Sequence, residues 1–250
     1  MANYKHFALF YDQLTENIDY GGRAAYFDSI IKKFGNGGNL LLDLACGTGS
    51  LSIEMERIGY DVIGTDNSSD MLSVAMGKDH KNVIFLCQPM DKLDMFGTMD
   101  VVICALDSIN HEINPKKVKK AFERVSLFLN DGGLFIFDVN SEYKHENVLG
   151  NNTFVYDLGN IYCVWENSYN RDLLKTSINL DFFHSKDGKN YKRYGESFAE
   201  VVYTPEQIEE FVSDAGLEIV GIYEGDGFNH PKNDSERIVY VVKKNFKKGG

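Results

Sequence analysis

Two glycines one residue apart, Gly47 and Gly49, stand between the apolar run Leu40–Leu44 and a helix-forming stretch opening at Ser50. Glycine at such a turn lets main chain close on a ligand, because a side chain there would hold a nucleoside off. The spacing is Gly-x-Gly-x-x-Ser, with Ser52 where a dinucleotide-binding turn usually has a third glycine. That glycine permits close helix–strand packing near a pyrophosphate, so its absence argues against NAD or FAD. Asp66 follows Gly47 by 19 positions. An acid at an offset of about 20 residues can accept both ribose hydroxyls of a bound nucleoside. The plainer readings are a structural tight turn for the glycines and a helix-capping or loop carboxylate for Asp66.

A third position joins these. Ala105-Leu106-Asp107-Ser108-Ile109-Asn110-His111 follows an apolar strand. In an open α/β sheet the reactive crevice lies at the carboxyl ends of the strands, so Leu106 to His111 should face the reacting atoms. The alternative for His111 is a loop histidine bonded to backbone.

The elements that must position these residues alternate. Strands are expected at Leu40–Leu44, Asp61–Thr65, Val83–Cys87, Val101–Leu106 and Leu134–Val139. Helices are expected at about 22–34, with Ala25, Ile30, Ile31 and Phe34 inward, at Ser50–Ile58 and at Ser69–Met76. A further helix starts at Asn114-Pro115, with Asn at the cap and Pro first. In it Val118, Phe122, Val125 and Leu129 recur at helical spacing, and Asp131-Gly132-Gly133 ends it. Such alternation implies a mostly parallel, doubly wound seven-stranded sheet of Rossmann-like α/β type. From 143 to 203 the period becomes two: Thr176, Ile178, Leu180 and Phe182 alternate with Lys175, Ser177, Asn179 and Asp181. This segment reads as an antiparallel β insertion after strand five, a substrate lid or a dimer interface, inside a domain formed by 1–142 and 204–250. Trp165, Tyr169, Tyr143 and Phe182 are its candidates for a substrate pocket. Thr204-Pro205-Glu206-Gln207 forms a capping box, Gly216 ends that helix, and Leu217–Tyr223 and Arg237–Val242 close the sheet.

The 250 residues suffice for one such domain plus an insertion. A net charge of -11 disfavours nucleic-acid and anionic-membrane partners. Lys116, Lys117, Lys119 and Lys120 read as a solvated helix face, and the tail Lys243–Gly250 as solvated too. Cys46, Cys87, Cys104 and Cys163 form no C-x-x-C pair and read as buried reduced thiols. There is no signal-peptide apolar region and no membrane-length apolar run, so a cytoplasmic protein is expected. No metal-ligand cluster, catalytic dyad or nucleophile elbow is visible.

Leu41-Leu42-Asp43-Leu44-Ala45-Cys46-Gly47-Thr48-Gly49 resembles the first motif of class I S-adenosylmethionine-dependent methyltransferases. Asp66-Asn67-Ser68-Ser69-Asp70-Met71-Leu72 resembles the second, and Asn130-Asp131-Gly132-Gly133-Leu134 the turn before strand five. Order and spacing agree over roughly 40–140. Phe10-Tyr11-Asp12, Tyr203-Thr204-Pro205-Glu206-Gln207-Ile208 and Ala215-Gly216-Leu217 extend the likeness towards the small-molecule, aminosugar N-methyltransferase branch.

The resemblance implies S-adenosylmethionine as cofactor, with Ala45, Cys46, Gly47 and Gly49 under its methionine part. Asp43 would organise the turn or meet the cofactor ammonium through water. Asp66 and Asn67 would serve the ribose, and Met71 the adenine. Tyr11 and Tyr20 would fold over the sulfonium, which an aromatic face attracts; Tyr4 reads as packing. Leu106 and Asp107 would complete the pocket. Pro89 stands where such families often place a carboxylate for the adenine amino group, leaving Gln88, the Met90 main chain or Asp91 for that contact. His111 aligns with a histidine of the aminosugar enzymes and would act, with Tyr11, on a small-molecule amine. A monomer or homodimer is expected. O-methylation, a nicotinamide oxidoreductase, a catalytically silent module and an RNA methyltransferase are the competing readings.

Overall fold

A computed structural model describes residues 7–245 of the chain; Tyr4 and the tail beyond 245 lie outside the described residues. Helices α1 (Phe7–Leu14) and α2 (Tyr20–Phe34) precede the first strand. There follow β1 (Leu40–Leu44), α3 (Ser50–Arg57), β2 (Asp61–Asp66), α4 (Ser69–Met76), β3 (Ile84–Cys87), β4 (Met99–Cys104), α5 (Ser108–His111), α6 (Pro115–Phe128) and β5 (Leu129–Asn140). The strands β6 (Thr153–Asp157), β7 (Ile161–Asn170), β8 (Lys175–Ser185) and β9 (Tyr191–Val201) form the insertion. Last come α7 (Pro205–Asp214), β10 (Leu217–Glu224) and β11 (Arg237–Lys244).

The main sheet has the order β10-β11-β5-β4-β1-β2-β3. Its first five strands in sequence run parallel, and β10 and β11 close it antiparallel. The expected Rossmann-like, doubly wound sheet is therefore the fold. Alternate residues explain why helices cover both faces. Leu42, Val102, Phe135 and Phe137 pack with Phe122 of α6 and Phe211 of α7. Their neighbours Leu41, Val101, Ile103 and Ile136 pack with Phe27 and Ile30 of α2 and Met55 of α3. The order reverses between β1 and β4, which places the crevice at their carboxyl ends.

Several local boundaries differ from expectation, each for a physical reason. Helix α2 begins at Tyr20, because the Asp19 carboxylate caps it by accepting from Gly22 N at 2.8 Å. Ala25 is exposed, since Ala24, Phe27, Ile30 and Ile31 set the inward stripe. Strand β5 starts at Leu129, with the Asp131-Gly132-Gly133 turn carried as an irregularity in its pairing with β4. A Cβ on Gly133 would lie 2.9 Å from Asp100 O, so only glycine allows that close pass. Strand β4 stops at Cys104 because Leu106 and Asp107 turn to positive φ, +57° and +55°. Cys87 is exposed, contrary to expectation, and all four cysteines are free. Lys117, Lys119 and Lys120 are ion-paired with Glu112, Asp214 and Glu123.

The insertion is a separate antiparallel sheet, β6-β7-β8-β9. Its apolar parity falls as the alternation requires: Ile178, Leu180 and Phe182 are buried against Phe7 and Phe10 of α1. A π-helical turn, Lys144–Leu149, joins it to β5 and has no periodic signature in the sequence. Among the described residues no helix is long and apolar enough to cross a membrane.

Phe182 is fully buried, with its ring 5.1 Å from that of Phe10. Phe182→Ala should lower the unfolding free energy by about 3–5 kcal/mol in urea titrations, the usual cost of emptying a buried aromatic site.

Candidate active site

The crevice is one cavity of about 860 Å³ running from the glycine turn to the insertion. Tyr11, Tyr20, Asp43, Ala45, Cys46, Gly47, Asp66, Asn67, Met71, Gln88, Pro89, Met90, Leu106 and His111 all line it. Two of the candidates for the cofactor do not. A Cβ on Gly49 would sit 2.7 Å from the Phe85 ring and 3.0 Å from the Ala75 methyl, so that glycine serves helix–strand packing. Asp107 is turned away by Arg237, whose Nη2 donates to its Oδ1 at 2.7 Å. Gly47 differs from Gly49: its φ is +55° and a Cβ there would meet nothing within 4 Å, which leaves an open cradle on the cavity side.

The turn is tied together by two carboxylates. Ser52, the residue in place of the third glycine, donates from Oγ to Asp43 Oδ2 at 2.5 Å. Burial pushes the Asp43 carboxyl up to about 7, the Ser52 bond works the other way, and nearby Asp66 adds to the rise. Asp66 accepts from Gly47 N at 2.9 Å and from Ser68 N at 2.8 Å, while Ser68 Oγ caps α4 by accepting from Met71 N. Burial raises the Asp66 carboxyl against those hydrogen bonds. Helix α1 is latched onto this turn, because Asp12 accepts from Thr48 Oγ1 at 2.6 Å and from Lys78 Nζ at 2.9 Å. That latch brings Tyr11 and Tyr20 together at the cavity wall, where burial raises both phenols. Gln88 is occupied elsewhere: its amide pairs with the Asp94 main chain at 3.1 and 2.8 Å.

At the other end, His111 Nε2 faces two carboxylates, Asp107 Oδ2 at 3.7 Å and Glu200 Oε1 at 3.6 Å. The donor atoms of these three residues lie within 4.8 Å of one another, a grouping that linear sequence spacing did not show. Positive charge is already supplied there by Arg237 and Lys144, which with His111 outweigh burial and hold the Asp107 carboxyl below its usual range. Arg237 also pairs with buried Asp138, which Arg23 approaches at 3.7 Å. Asn110 joins the network, donating to Val201 O at 2.8 Å and accepting from Asn140 N at 2.9 Å.

The insertion's aromatic candidates do not line the cavity. Phe182 is in the α1 core, Trp165 donates to Asn167 Oδ1 at 2.7 Å, Tyr169 stacks with His145, and Tyr143 is exposed. Phe198, Ser177 and Asn179 line it instead. Glu200 and Arg237 were missed as site residues, although Asp138 and Asn140 within Phe135–Asn140 signalled that strand β5 carries a buried polar network.

A doubly wound sheet with an open glycine turn after β1 and a carboxylate ending β2 defines a nucleoside-binding domain of the Rossmann-like class. A family profile described as "Methyltransferase domain" matches residues 41–133. An S-adenosylmethionine-dependent methyltransferase from Clostridium acetobutylicum ATCC 824 is 34% identical, covering 97% of this chain and 99% of its own, with a TM-score of 0.86. A methyltransferase-like protein of Geobacillus sp. (strain WCH70) is 29% identical over 96% of this chain and 99% of its own. The sugar N-methyltransferase KedS8 from Streptoalloteichus sp ATCC 53650 shares the fold at 18% identity, with 96% and 93% coverage and a TM-score of 0.78. The chain belongs to the class I S-adenosylmethionine-dependent methyltransferases, and S-adenosylmethionine is its cofactor.

The buried Asp43 gives a testable pH dependence. Its carboxyl rises from 3.8 unfolded to about 7 folded, so the native state binds more protons between those values. Stability from this group is therefore present at low pH and is lost as pH rises towards 7. Urea unfolding of the ligand-free protein at pH 5 and pH 8 should show a smaller loss in Asp43→Asn than in the wild type. An equal loss in both would remove Asp43 from that role.

Proposed function

We propose that the chain methylates a small-molecule amine. The observation that carries this reading is the single cavity joining the Gly47 cradle to His111. Its volume, about 860 Å³, suits a nucleoside cofactor with a small acceptor beside it. The bound sulfonium supplies an electrophilic methyl group and a neutral leaving group. The chain then needs to align an acceptor lone pair and keep it unprotonated. His111 is a group at the cavity wall able to take a proton from the acceptor. Tyr11 and Tyr20 would face the sulfonium, and Asp66 would take the ribose hydroxyls, with Asn67 beside them. Cys46 and Gly47 would lie under the methionine part, and Met71 would rest on the adenine. With Gln88 engaged by Asp94, the Met90 main chain and Asp91 serve the adenine edge beside Pro89.

The insertion, 143–203, acts as a lid: Phe198, packed against His111, covers the acceptor end. The net charge of -11 supports a small acceptor over a nucleic acid. A cytoplasmic location fits the free cysteines.

Transfer of labelled methyl from S-adenosylmethionine to panels of amines, hydroxyl compounds and carboxylic acids tests the reading. Label on nitrogen is expected; label confined to oxygen would replace it with O-methylation. His111→Ala should lower kcat by about 10²-fold, the usual scale of general-base loss, with little change in cofactor affinity. Asp66→Ala should weaken S-adenosylhomocysteine binding by at least about tenfold in calorimetry, since it deletes two charge-assisted hydrogen bonds; unchanged affinity would sink the ribose assignment.

A further inference from the structure

Glu200 has a place in the site that no sequence motif marks. It lies on β9, opposite Thr176 of β8, on the face of the insertion that looks inward. Its side chain is only 5% exposed. Oε2 accepts from Asn140 Nδ2 at 3.3 Å and faces Nε2 of fully buried His145 at 3.8 Å. Thr176 Oγ1 holds the other nitrogen of His145 at 2.8 Å, and burial lowers His145 to about 4, so it is neutral near pH 7. Oε1 is left pointing at His111. The ring of Phe198, two residues earlier on β9, packs 5.2 Å from the His111 ring. One strand of the insertion thus supplies both a face and a charge to His111.

We propose that Glu200 is a positioning residue that, with Asp107, fixes which nitrogen of His111 meets the acceptor. The Asp107 carboxylate, held ionised by Arg237 and Lys144, only accepts hydrogen bonds. A nitrogen that faces it at 3.7 Å, with Glu200 at 3.6 Å, therefore carries the hydrogen. These separations are longer than a made hydrogen bond and tighten when the site fills. The lone pair of neutral His111 then lies on Nδ1. On the amine reading, on which this proton transfer rests, an N–H bond of the protonated acceptor breaks and an Nδ1–H bond forms. The N–H electron pair stays on the acceptor nitrogen as its lone pair, and the new imidazolium charge is met by Asp107 and Glu200. Among the described residues, the charged and titratable groups around the ring include Asp107 at the start of α5, Asp66 at the end of β2, Glu200 on β9 and His145 in the π-helical turn. Lys144 and Arg237 stand behind the carboxylates. Burial raises the Glu200 carboxyl, and the charge of His111 opposes that rise.

Long-range 1H–15N correlation spectra of the S-adenosylhomocysteine-loaded protein read the ring directly and need no acceptor. The wild type should show His111 as the Nε2–H tautomer. In Glu200→Gln, which keeps an acceptor for Asn140, the His111 titration midpoint should fall by about one pH unit, the low end for losing an opposite charge at this range. Melting temperature and S-adenosylhomocysteine affinity should be retained. If Glu200→Gln does not fold, Glu200→Asp, which withdraws the carboxylate by one methylene, should still lower the midpoint by a smaller step. An Nδ1–H tautomer in the wild type, or a midpoint unmoved in the folded variant, would overturn the assignment. If no amine accepts methyl while the spectra behave as expected, the amine reading fails and the positioning role stands.

Discussion

The Arg237 guanidinium holds the active end of this fold together. It sits on the first residue of β11, paired in register with Asn140 of β5, and reaches both Asp138 on β5 and Asp107 beyond β4. Asp138 is fully buried, and a buried carboxylate without a cation costs several kcal/mol. The last strand of the chain therefore fixes a loop that lies 130 residues earlier. That loop is strained: Leu106 and Asp107 both hold positive φ, at about 1 kcal/mol or more each. The ion pair offsets the strain, and in return α5 is launched in the direction that carries His111 to the cavity.

The same logic runs through the opposite half of the cleft. Ala45, another residue with positive φ, begins the glycine turn, and Asp66 fastens that turn by accepting from Gly47 N. Ser52 does for Asp43 what a third glycine does elsewhere for packing: it lets α3 approach β1, and its hydroxyl satisfies a buried carboxyl. The cleft is thus framed by two pinned turns at the carboxyl ends of neighbouring strands. Helix α1 and the insertion, joined through Phe7, Phe10 and Phe182, cover it as one apolar unit.

Much of this was legible in the sequence because it is local. Apolar runs of four to six residues between turn residues gave the strands, and Asn114-Pro115 and Thr204-Pro205 gave two helix starts that the structure keeps. Gly47, Asp66 and His111 line the cavity because each lies at or shortly after the carboxyl end of a strand, a place that spacing along the chain indicates. Residues whose position depends on pairing were not legible. Glu200 reaches His111 only through the β8–β9 register, and Arg237 reaches Asp107 only through a strand added last to the sheet edge. Gly49 misled for the opposite reason. Its motif position suggested ligand contact, but Phe85 from β3 already occupies that side. The aromatics of the insertion misled as well, since composition marked them as sticky without saying which face they cover.

The direct measurement is a structure with S-adenosylhomocysteine bound. The ribose hydroxyls should lie on Asp66, the amino-acid part over Cys46 and Gly47, and the sulfur should turn towards His111 with open space between them for an acceptor. A ligand bound with its sulfur facing away from His111, or with its ribose out of reach of Asp66, would contradict this arrangement.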